Sequence, residues 1–68
     1  MRYAVVIEKA GANYSAYVPD LPGCVATGST PEEAEREIRE AIRFHLEGLE
    51  EDGIEPPKPE ATLAYVEA

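Results

Sequence analysis

Tyr17-Val18-Pro19-Asp20-Leu21-Pro22-Gly23-Cys24-Val25 is the stretch on which the reading of this chain turns. Two prolines and a glycine enclose a single leucine, the composition of a rigid, shaped loop rather than a slack connector. Apolar runs flank it. Tyr14 to Val18 has the alternation of a strand, and Cys24 to Thr27 reads as a short further strand closed by Gly28. Further upstream, residues 2–8 alternate, with Tyr3, Val5 and Ile7 on one face and Ala4 and Val6 on the other. Ala10-Gly11-Ala12-Asn13 supplies the turn that makes a hairpin of the first two strands.

Downstream, Thr30-Pro31-Glu32-Glu33 is a helix start. Thr30 can cap the free amides, Pro31 suits the first helical position, and Glu33 can complete a capping box. Glu32, Glu33 and Glu35 also stand at the positive end of the helix dipole. The predicted helix runs to about Glu51 and ends at Asp52-Gly53. Ala34, Ile38, Ile42, His45 and Leu49 form its apolar stripe, widened by Ala41 and Leu46. Glu55-Pro56-Pro57-Lys58-Pro59 must then be an extended connector. Ala61 to Val66 alternates weakly and reads as a fourth strand. The expected fold is therefore α+β: one domain over residues 1–68, ordered βββαβ, with a three- to four-stranded mainly antiparallel sheet and one helix on one face.

One helix covers one face of a sheet, yet both faces carry apolar groups. Val6, Tyr17 and Val25 fall on the face the helix leaves open, and are the candidate surface for self-association into a homodimer or homotetramer. Scattered surface apolars are also ordinary in any protein, so the pattern alone carries both readings.

Charge and residue types narrow the function. Fourteen acidic against six basic side chains give a formal net charge of −8. Phosphate binding needs clustered Lys and Arg, so nucleic acid is not the expected ligand; a basic protein partner is the complementary one. A solvated acidic face explains the same charge without a partner. The single cysteine excludes an internal disulfide, and no Cys/His spacing suggests a metal or any other cofactor. No apolar run is long enough for a membrane span, and the quickly charged N-terminus does not read as a signal peptide, so the expected compartment is the cytoplasm. Cys24 and His45 are the sole thiol and imidazole, but no nucleophile motif surrounds them, and His45 lies in the helix's apolar stripe. The carboxylates cluster on the exposed helix side rather than in a cleft. The chain reads as a binding module without catalytic residues. Within the loop, Asp20 can accept backbone hydrogen bonds locally or meet a partner, and Leu21 can be a core plug or an exposed anchor. Asp20, Leu21, Pro22 and Gly23 are the candidate partner-binding residues.

The run from Tyr14 through Val18-Pro19-Asp20-Leu21-Pro22-Gly23-Cys24 to Thr30-Pro31-Glu32-Glu33-Ala34, with the helix Ile38 to Leu49, strongly resembles the N-terminal domain of HicB-type antitoxins. The resemblance extends from Tyr3 to about Val66. It implies a degenerate ribonuclease H-like fold without nuclease activity. It also implies a partner, a small basic HicA-type toxin that cleaves mRNA with a histidine and is masked by binding. Many such antitoxins carry a C-terminal DNA-binding segment. The sequence ends at Ala68, so operator binding is not expected of this chain alone. The alternative is a non-catalytic oligomeric regulatory or structural module of the same fold with no toxin partner.

Overall fold

The hairpin expected around Gly11 builds the first half of the sheet. In a computed structural model that describes the whole chain, Met1–Ala68, β1 (Val6–Ala10) pairs antiparallel with β2 (Asn13–Tyr17), from Val6 opposite Tyr17 to Ala10 opposite Asn13. The two residues left between them turn the chain. Gly11 has φ +64° and Ala12 does not adopt positive φ, the signs of a type II′ turn that suits the twist of a hairpin. β3 (Val25–Gly28) adds antiparallel to the other side of β2, giving the order β1-β2-β3.

α1 (Pro31–Glu51) follows at once. Thr30 is extended at φ −135° and its Oγ1 accepts from the Glu33 N–H at 3.0 Å. Glu33 reaches one residue further back than a capping box requires: Oε1 accepts from the Ser29 N–H at 3.0 Å and Oε2 from the Ser29 hydroxyl at 3.2 Å. At the far end, the N–H of Gly53 (φ +69°) donates to the Glu50 carbonyl and that of Ile54 to the Leu49 carbonyl. This pair of bonds is a Schellman closure, which needs the left-handed glycine.

Register decides which residues meet the helix. Ile7, Ala16 and Ala26 are cross-strand partners, so they share a face, and that face packs on α1. The core is small: Ala16, Val18, Leu21, Cys24, Ala34 and Ile38 are buried, with Tyr3, Val5, Ile7, Tyr14, Ala26, Ala41, Ile42 and Leu46 packed around them. Gly28 sets the distance between the layers. A Cβ there would overlap the backbone of Ala34, 2.9 Å from its Cα, so strand end and helix start touch backbone to backbone. A helix of 21 residues is about 32 Å long, whereas a five-residue strand spans about 17 Å. The second half of α1 therefore overhangs the sheet, and only Ala34 and Ile38 on the helix are fully buried.

The structure takes the three-stranded form of the expected architecture, with one helix on one face. The expected fourth strand at 61–66 does not form, because no residue of that segment is laddered to another strand. A strand exists only against a partner. The expected first strand also starts later, at Val6, and residues 2–5 line a shared groove with Ala61–Leu63 without a ladder.

Candidate partner-binding surfaces

The proline loop consists of two successive turns. The Leu21 N–H donates to the Val18 carbonyl at 3.1 Å, closing a turn with Pro19 second. The Cys24 N–H donates to the Leu21 carbonyl at 3.0 Å, closing another with Pro22 second. Gly23, third in the latter, has φ +84°, as a type II turn requires. The Val18 N–H donates to the Cys24 carbonyl at 3.3 Å and fastens the loop's two ends together. Leu21 sits at the corner shared by both turns and is 0% exposed, so it is the core plug of the two roles open to it. Pro22 and Gly23 form the exposed tip.

Asp20 does something neither sequence alternative contains. Its Oδ2 accepts from the backbone N–H groups of Glu60 at 3.1 Å and Ala61 at 3.0 Å, some forty residues away. The carboxylate clips the C-terminal segment to the loop. Earlier in the same segment, the Tyr3 hydroxyl donates to the Pro57 carbonyl at 2.6 Å. These bonds order the connector, but Leu63, Tyr65 and Val66 beyond it remain exposed.

Val6, Tyr17 and Val25 do come together. Val6 is opposite Tyr17 and Tyr17 opposite Val25, so the three make one row across the face that α1 leaves open. Tyr17 and Val25 are exposed, Val6 partly so. Sequence reasoning missed Phe44, which is 80% exposed on α1 and lies with Val25 in a groove beside β3. Its signal was available: it is the one phenylalanine of the chain, off the apolar stripe and set between Glu40 and Glu47.

Cys24 is buried, and burial pushes its thiol pKa up, the reverse of what a nucleophile needs. No three His, Cys, Asp or Glu side chains converge in a way that could hold a metal ion. No helix is long and apolar enough to cross a membrane.

The chain is 44% identical over 66 residues to an uncharacterized 14.9 kDa protein of Haemophilus phage HP1, covering 97% of this chain and 50% of that one. The chain thus spans half the length of this phage relative. It is 53% identical over 49 residues to a UPF0150 protein of Helicobacter pylori, covering 72% of this chain and 68% of the relative. A UPF0150 protein of Thermoplasma acidophilum is 39% identical over 69 residues and aligns along the full length of both. Among solved structures, a chain of a HicA3 and HicB3 toxin-antitoxin complex superposes with a TM-score of 0.73 at 30% identity, covering 87% of this chain and 70% of that chain. Residues 3–68 match the family described as the HicB-like antitoxin of bacterial toxin-antitoxin systems. With the loop, the helix and the sheet all inside that match, this chain belongs to the HicB-like antitoxin family.

Proposed function

We propose that this chain is the antitoxin of a type II toxin-antitoxin pair, and that it binds and masks a small basic HicA-type mRNA ribonuclease. The observation that carries the reading is the likeness, in fold and at 30% identity, to a chain of a HicA3 and HicB3 complex. Charge supports it: a net charge of −8 suits a basic partner, raising the rate of encounter and disfavouring acidic competitors. The chain acts by occupying the toxin rather than by chemistry of its own, in keeping with a buried, high-pKa thiol. The exposed tip Pro22-Gly23 is the part of the loop offered to the toxin, with Asp20 and Leu21 holding it in shape.

The test is co-purification with the product of the adjacent gene, followed by RNA cleavage with and without this chain. The expected result is a stable complex and RNA left intact at equimolar antitoxin. Cleavage that continues at saturating antitoxin would sink the reading.

The row Val6-Tyr17-Val25 favours a second property, self-association into a homodimer or homotetramer through the open face. Val6→Glu places a charge at one end of that row. It is expected to lower the mass measured by sedimentation while leaving helix content unchanged. A variant that stays assembled removes the open face as the interface. If the chain assembles but binds no toxin, the oligomeric module without a partner is the better description.

A further inference from the structure

The two edges of the sheet are finished differently. β1 carries Glu8 and Lys9, and the stretch leading into it is flanked by Ala61–Leu63. Charged side chains on an edge discourage another strand from adding there. β3 reads Val25-Ala26-Thr27-Gly28, with no charge and no proline, and its outer side is unpaired. Beside it runs an open groove of about 760 Å³, with the β3 edge as one wall and the Glu37–Glu47 side of α1 as the other. Phe44, 80% exposed, is its large apolar group, with Ala26 and Ala41 beside it; Val25, 65% exposed, borders it at the strand edge with its side chain on the open face. An exposed phenylalanine alone would be ordinary; set beside an unpaired strand edge it makes an anchor site. The helix wall also bears Glu37, Glu40 and Glu47, against a single Arg43, which is already paired with Glu40.

Resting on the antitoxin reading above, we propose that this groove receives a basic, extended segment of the toxin, which adds to the outer edge of β3 as a further strand. Backbone hydrogen bonds to the edge supply the register. An apolar side chain of the segment packs on Phe44 beside Ala26, and Lys or Arg side chains face Glu37, Glu40 and Glu47. The chain's own unpaired segment does not suit the site. Residues 61–68 contain no basic residue and include Glu67, and their start is clipped by Asp20 next to the residues that lead into β1, at the other edge of the sheet. A second copy pairing edge to edge would bring its own Glu37, Glu40 and Glu47 toward the same acidic wall.

The test titrates this chain, by calorimetry, with the product of the adjacent gene, expressed with the histidine expected of a HicA-type toxin replaced. Two variants are compared with the wild type: Phe44→Ala, and Glu37→Lys with Glu40→Lys and Glu47→Lys. A control, Glu8→Lys with Glu55→Lys and Glu67→Lys, makes the same change in net charge at exposed positions away from the groove. The expected result is Kd weakened at least roughly thirtyfold by Phe44→Ala and roughly a hundredfold by the groove triple, with the control within about threefold. Amides of Val25–Gly28 are expected to gain hydrogen-exchange protection in the complex. Wild-type binding that both groove variants retain, or protection confined to the Pro22-Gly23 tip or the open face, overturns this inference and leaves the antitoxin reading standing. No binding by the wild type overturns both. Sedimentation of Phe44→Ala alone that shows a lost oligomer, with toxin affinity kept, assigns the groove to a second copy and overturns it as well.

Discussion

Two proline-rich stretches of this chain meet opposite fates. Pro19 and Pro22 bracket a loop with a buried apex, two closed turns and a hydrogen bond between its ends. Pro56, Pro57 and Pro59 lie in a connector with no internal backbone bonds, held only by Tyr3 at Pro57 and by Asp20 at Glu60 and Ala61. In both, proline removes donors and excludes helix. The difference lies in what accompanies the prolines. The first stretch holds Leu21, whose burial offsets the cost of ordering the loop, and Gly23, which allows the return. The second holds Lys58, a solvated point charge with nothing to bury. Proline stiffens a chain, but an apolar side chain with a place to go decides whether the stiffened piece becomes part of the core.

The largest expected effect follows from removing that side chain. Leu21→Ala should cost about 3 kcal/mol, since the site is fully buried and enclosed by turns that resist collapse. In a domain of this size that lowers Tm by roughly 12–24 °C. A loss within 1 kcal/mol, read by urea denaturation, would mean that the turns hold the loop without its plug and would erase the contrast with the connector.

Asp20→Ala tests the link between the two stretches. It removes both hydrogen bonds to Glu60 and Ala61 at a partly exposed site, with an expected loss of about 1 kcal/mol. Amide order parameters should fall from residue 60 onward while those of residues 18–24 hold. If the loop loosens and the connector does not, the dependence runs the other way.

The smallest effect belongs to a proline in a third setting, Pro31 at the first helical position behind Thr30. Here the backbone N–H and then the hydroxyl of Ser29 donate to Glu33 and hold its carboxyl below the usual pKa. A depressed carboxylate contributes stability that is present above its unfolded pKa and is lost as pH falls through the lower native value. Glu33→Gln should therefore be slightly less stable than wild type at neutral pH, and the gap should close on acidification into that range. A gap that persists or widens in acid would mean that the interaction does not depend on the charge.

The legible parts of the fold were those written in a few adjacent residues. Thr30-Pro31 and Asp52-Gly53 marked the helix within the observed Pro31–Glu51, because caps are local hydrogen-bond problems with local answers. Gly11 and the Pro-Gly of the loop marked their turns for the same reason. The row Val6-Tyr17-Val25 was legible as one face because side chains alternate along a strand; that the three are immediate neighbours was not, since register is settled between strands. The segment 61–66 carried the alternation of a strand without a partner to pair with. Leu21 stood open between plug and anchor, and Asp20 bonded a segment forty residues on, a connection with no signature in the loop itself.

The sequence by itself determined the three strands and the helix, their order, the acidic character of the chain and the family to which its loop and helix belong. Periodicity, turn chemistry and charge are properties of neighbouring residues, so they are present before the chain folds. Only the tertiary structure decided where the loop's leucine points, which carboxylate holds the C-terminal segment, how closely Gly28 lets the helix approach, and that Phe44 stands beside an unpaired strand edge. Each of these depends on packing between residues far apart in the chain, where burial and close approach outweigh local preference.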